Sequence, residues 1–209
     1  MNIYVFILLC FLPLVLCILI MRFAVPDFKI TKGLWAALVG LLSVIPIAIV
    51  QLFILNLPIF TANTLVAVLI TAMIFNGLVE ESLKMICMLF LPAKRNTLAV
   101  FFSMSLIAGL SLGCFETVIY LFAGYHEIEL RMISAVLIHT FCSGLSGLYI
   151  WTFRQKKPKV TPFVFAAILH GTYNFFAGFS GNYRWFAILA ILMAIIECRI
   201  WYTQIRTNM

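Results

Sequence analysis

Apolar residues run in long blocks along this chain, and polar residues collect in the short gaps between them. Breaks at charged, proline-rich or glycine-rich points define seven apolar stretches, at 3–21, 34–56, 62–91, 97–124, 132–153, 161–179 and 185–203. About 20 apolar residues carry an α-helix across the hydrocarbon of a bilayer, so each stretch predicts a span or nearly one. The pattern reads as an all-α polytopic membrane protein, a bundle of about seven transmembrane helices. No internal repeat, low-complexity tract or linker divides it, so residues 1–209 are expected to form a single integral-membrane domain.

Composition sharpens this reading. The chain is 65% hydrophobic and only 10% charged, with a mean hydropathy of +1.14. A soluble protein of this length devotes about a quarter of its residues to Asp, Glu, Lys and Arg, so the solvent for most of this chain is lipid. The net charge of +7 would raise the question of nucleic acid in a soluble protein. Here the basic residues collect in connections, Lys94 with Arg95 and Arg154 with Lys156, Lys157 and Lys159, and no nucleic-acid partner is needed to explain them. Basic connections alternate with neutral or mixed ones, which by the positive-inside rule puts the C-terminus in the cytoplasm and the N-terminus outside. The first stretch lacks a basic leader and a small-residue cleavage site, so it is read as a span and not as a removable signal. Cys10, Cys17, Cys87, Cys114, Cys142 and Cys198 all lie in apolar stretches without metal-type or loop pairing, and read as small membrane-buried side chains.

Ionisable groups at membrane depth carry the chemistry. Glu80 and Glu81 fall in the third stretch, Glu116 in the fourth, His139 in the fifth and His170 in the sixth. A charge in hydrocarbon costs at least about 2.5 kcal/mol and marks a functional interior. Asn76, Glu80 and Lys84 recur every four residues, so they predict one helical stripe on which Glu80 pairs with Lys84. Glu81 points about 100° away, so one glutamate faces the site and the other supports it. His170 and Asn174 are also four apart, and Gly109, Gly113, Glu116 and Tyr120 form a small-residue face for close helix packing. Each feature alone has a structural explanation, an ion pair or interhelical hydrogen bonds; their coincidence on four successive helices carries the inference.

Carboxylates, imidazoles and an amide inside a membrane suit peptide hydrolysis, in which a base deprotonates water and donors or a metal stabilise the oxyanion. Two histidines with a carboxylate also suit zinc with an open fourth position. The sequence has no H-E-x-x-H, which excludes a standard zincin helix.

Glu80-Glu81-Ser82-Leu83-Lys84 resembles the E-E-x-x-K element of the PrsW family of intramembrane proteases, within the wider CAAX-prenyl-protease-like superfamily. Three further elements are similar in order: Gly109 to Tyr120, Arg131 with His139, and His170 to Asn174. Leu112 and Thr117 depart from the residues common in the second element. The resemblance implies a catalytic core over about residues 75–178, and an endopeptidase that hydrolyses a membrane-anchored protein such as an anti-sigma factor. It implies that Glu80 activates water with Glu81 and Lys84 in support, while Glu116, His139, His170 and Asn174 serve metal, water and oxyanion. Glu116, His139 and His170 are the expected metal ligands and zinc the expected ion, with a metal-free glutamate mechanism left open. A multi-pass protein of a bacterial plasma membrane is implied. The competing readings are a non-catalytic scaffold or substrate-binding subunit and a proton-coupled transporter.

Overall fold

The computed structural model describes residues 3–54, 64–94, 96–122 and 128–208. The expected connection at 56–63, Arg95, and the stretch holding His126 and Glu127 lie outside the described residues, as does the side chain of Arg131. All regular structure among the described residues is helical, arranged as seven rods in chain order. These are α1 (Ile3–Ala24), α2 (Ile30–Ile54), a composite third rod, α5 (Leu98–Phe122), α6 (Ile128–Arg154), α7 (Thr161–Ala177) and α8 (Phe186–Thr207). The third rod runs Leu65–Met88 and consists of α3 (Leu65–Ile70), a π-helical segment (Thr71–Val79) and α4 (Glu80–Met88). Six rods are long and apolar enough to cross a membrane. The exception is α7, whose 17 residues reach about 26 Å at 1.5 Å each, short of the roughly 30 Å hydrocarbon core. The protein is an integral, multi-pass membrane protein.

Apolar side chains on α1, α2 and α8 face outward to lipid, while α5 and α6 form the centre. In the most apolar part of each rod, 83% of α5 and 72% of α6 is buried, against 17% for α1. Such burial requires close packing of backbones, because lipid offers no hydrophobic drive between helices. Gly109 is where α5 meets α6: a Cβ there would lie 2.2 Å from the His139 carbonyl and 2.4 Å from Ser143 Oγ. On the third rod Gly77 does the same for α7, where a Cβ would come within 2.5 Å of the Ala167 carbonyl. These contacts set the helix that bears Glu116 against that of His139, and the helix that bears Glu80 against that of His170.

The π-helical segment departs from the α spacing assumed for the third stretch. Its hydrogen bonds close five residues back instead of four, so Asn76 and Glu80 are not joined by a plain α turn. The α register resumes at Glu80, the first residue of α4.

At the end carrying the basic connections, Arg154 reaches across to the exit of α4. Its Nη1 donates to the Leu91 carbonyl at 2.6 Å and its Nη2 donates to the Leu89 carbonyl. A cation there satisfies carbonyls that a helix end leaves open. The α6 exit closes on itself: Lys157 N donates to Thr152 O (3.1 Å) and Lys156 N to Phe153 O (3.0 Å), with Lys156 at φ 59°. That is a Schellman cap with lysine in the left-handed position that glycine occupies without strain. Lys156→Gly is therefore expected to stabilise the folded protein by about 1 kcal/mol, read as a higher unfolding midpoint in detergent; an unchanged or lower midpoint would refute the assignment.

Candidate functional site

Glu80 and Glu81 open α4 where the π-helical segment ends, and Lys84 follows one turn later. Glu80 is 5% exposed, and Glu81 and Lys84 are fully buried. His139 on α6 and His170 on α7 are buried beside them, with ring centroids 4.7 Å apart in an edge-on arrangement. Glu80 Oε1 lies 3.4 Å from His139 Nδ1 and 3.8 Å from His170 Nε2.

Each imidazole is backed by a second carboxylate on its far nitrogen. His139 Nε2 meets Glu116 Oε2 at 2.6 Å, and His170 Nδ1 lies 2.9 Å from Glu81 Oε1. Lys84 Nζ donates to Glu81 Oε1 at 2.5 Å and sits 3.4 Å from His139 Nδ1, while Ser146 Oγ donates to Glu81 Oε2 at 3.2 Å. With Nε2 of His139 protonated towards Glu116 and Nδ1 of His170 protonated towards Glu81, each ring is neutral and keeps one acceptor nitrogen. Both remaining nitrogens then turn lone pairs towards the Glu80 carboxylate.

Lone pairs and a carboxylate converging in a buried space favour positive charge beside them, and Lys84 Nζ, 3.4 Å from His139 Nδ1, supplies part of it. One candidate ligand atom from each of Glu80, His139 and His170 lies within 4.8 Å of the others, a spacing that suits a shared metal ion. Imidazole nitrogens and a carboxylate oxygen are donors that zinc accepts, and carboxylates behind ligating histidines are the usual outer support. The residues present fit a divalent cation.

The geometry redistributes the roles expected from sequence. Glu80 joins the two histidines in the trio, where the sequence reading had Glu116 as the third ligand; Glu116 lies behind His139, on the nitrogen turned away from Glu80. Lys84 forms its 2.5 Å contact with Glu81, three residues earlier, where the stripe pattern had pointed to Glu80. Asn174 is half-buried one turn beyond His170 and donates its Nδ2 to the His170 carbonyl at 3.2 Å, outside the trio. Ser146 went unremarked in the sequence, although it stands two turns from His139 on the same face of α6.

The site opens on a cleft that the sequence did not announce. A cavity of about 130 Å³ lies between α2 and α5, lined by Val44, Ala48 and Gln51 on one side, Leu112 and Glu116 on the other, and Glu80 at its wall. Glu116, with a quarter of its side chain exposed, looks into the same space.

Fold and site together define a membrane-embedded helical bundle that gathers carboxylates and imidazoles at depth and gives them an opening. The model of the PrsW family intramembrane metalloproteases matches residues 30–198, and the chain belongs to that family. It is therefore an intramembrane protease with a protein substrate, which replaces the scaffold and transporter alternatives. Among curated proteins and among solved structures no match was found.

Removing one partner of a buried ion pair leaves an uncompensated charge. Lys84→Met is expected to destabilise the protein by about 3–5 kcal/mol, and Glu81→Gln with Lys84→Met by much less than the sum of the singles. Unfolding in detergent measures the cycle, and additive losses would show that the pair is not coupled.

Proposed function

We propose that the protein cleaves a membrane-anchored protein, hydrolysing a peptide bond with a water activated by Glu80. The observation that carries this reading is the convergence of Glu80, His139 and His170 within 4.8 Å of one another, at the wall of a cleft that Glu80 and Glu116 share. Water in that cleft gives its proton to Glu80, and the hydroxide attacks the scissile carbonyl carbon. Glu80 then hands that proton to the leaving amine, while Glu116 on the far nitrogen of His139 holds that ring in its orientation. Glu81, anchored by Lys84 and Ser146, holds the His170 ring in its orientation, and Asn174 supplies an amide N–H on the same face for the oxyanion.

His139 Nδ1, His170 Nε2 and Glu80 would hold the metal, with zinc the ion best matched to the donors. A bound zinc supplies Lewis acidity to the carbonyl and lowers the pKa of water. Glu116 then belongs to the support and not to the ligands, which amends the set read from sequence. Within a single membrane domain, residues 75–178 form the catalytic core, and α2 adds one wall of the cleft. Loop charges favour an outside N-terminus and a cytoplasmic C-terminus, and the family resemblance favours a bacterial plasma membrane.

Purified protein in detergent, tested on a panel of tagged single-span substrates, decides the matter. Parent protein is expected to cleave at least one, and Glu80→Gln to lose at least about 100-fold in rate; a Glu80→Gln variant as active as the parent would sink the proposal. Elemental analysis is expected to find about one zinc per chain, lost in His170→Ala and weakened about 10- to 100-fold in Glu116→Gln. A metal-free preparation that stays fully active would refute the metal assignment and leave the glutamate mechanism.

A further inference from the structure

The cleft has a polar group on the side opposite the catalytic cluster. After its first turn, α2 carries Trp35 and only two other polar side chains, Ser43 and Gln51. Trp35 Nε1 donates to the Phe90 carbonyl (3.3 Å) and Ser43 Oγ to the Gly40 carbonyl (2.6 Å), so both are engaged. Gln51 has no hydrogen-bond partner among the described residues. It is half-buried, and it lines both the main cavity with Glu80 and Glu116 and an adjoining crevice with Phe75, Val79 and Glu80. An amide without a partner in an apolar membrane helix is costly, and this one faces the place where a peptide bond must be presented.

We propose that Gln51 binds substrate directly, its carboxamide hydrogen-bonding the backbone of the membrane segment being cleaved and holding that segment between α2 and Glu80. A segment crossing a membrane keeps its N–H and C=O groups paired inside its own helix. To expose one peptide bond to Glu80 it must unwind locally, which frees backbone donors and acceptors with no water to satisfy them. A glutamine side chain matches this need, because it offers one carbonyl acceptor and one NH₂ donor, as a peptide unit does. The remaining α2 residues along the cleft, Val44, Ile47 and Ala48, are apolar and suit the side chains of a hydrophobic segment. The substrate class follows: a single apolar span with a helix-weakening break at the level of Glu80. This rests on the proteolytic reading of the site and adds to it a binding group outside the catalytic cluster.

The test measures binding without turnover. In the Glu80→Gln background, fluorescence anisotropy follows a dye-labelled synthetic span of about 25 Leu and Ala residues with a central Gly-Gly-Pro break. Gln51→Leu is expected to raise Kd about tenfold and Gln51→Asn by less, because it keeps the amide. The melting temperature of Gln51→Leu should equal or exceed that of its background, since an apolar side chain replaces a polar one in lipid; Gln51→Met serves as a second apolar variant should the leucine fail to fold. An unchanged Kd in Gln51→Leu or Gln51→Met would overturn the proposal, as would an equal loss in Gln51→Asn. Failure of the proteolytic reading shows separately, as cleavage surviving Glu80→Gln, and the binding comparison still decides Gln51.

Discussion

A lysine ammonium shut inside a membrane bundle must have an anion against it, and Lys84 has Glu81 at 2.5 Å. That pairing fixes much of the site. Glu81 gives one oxygen to Lys84 and the other to Ser146, and its first oxygen also stands against His170. Glu81 is thereby used up as a structural anion. The neighbouring glutamate, turned by about 100° on the same helix, reaches the cleft instead. Two adjacent carboxylates of identical chemistry are separated, one held by the buried cation and the other turned to the cleft.

The same separation explains why two histidines stand at the site in different senses. His139 meets Glu80 through Nδ1 and Glu116 through Nε2, whereas His170 meets Glu80 through Nε2 and Glu81 through Nδ1. In both cases one nitrogen is committed to an outer carboxylate and the other is presented to Glu80. Such backing holds ring orientation and tautomer, and it needs the three helices held at short range. Gly77 provides that range between the helices of Glu80 and His170, and Gly109 between those of Glu116 and His139, since any larger side chain at either position would drive into the backbone of α7 or α6.

The fold and most of the cluster were legible because the membrane makes polarity informative. Where only about one residue in ten is charged, Glu80, Glu81, Lys84 and Glu116 stand out at depth, with His139 and His170 beside them, and helix spacing limits which face each occupies. The partners were less legible. Pairing Glu80 with Lys84 rested on their four-residue spacing, whereas Lys84 lies against Glu81 three residues earlier in the same α4; the π-helical turns at Thr71–Val79 break only the step from Asn76 to Glu80. Glu116 entered the ligand set through the family resemblance, and its position on the far nitrogen of His139 exists only in three dimensions. The short span of α7 was missed for a related reason, because apolarity continues past Ala177 while the helix does not.

The cleft adds a constraint that the cluster alone does not contain. The proposed hydrolysis requires a water and a peptide to reach Glu80, which is nearly enclosed, so access has to come along a helix boundary. Between α5 and α6 the backbones are in contact at Gly109, and between the third rod and α7 they are in contact at Gly77, which closes those routes. The boundary of α2 with α5 holds the cavity, and α2 is also a rod with most of its surface turned to lipid. The helix that contributes nothing to the catalytic cluster is thus the one placed to decide what reaches it. A sequence reading confined to ionisable residues passes over such a helix, because its contribution is a wall of small and apolar side chains with a single amide.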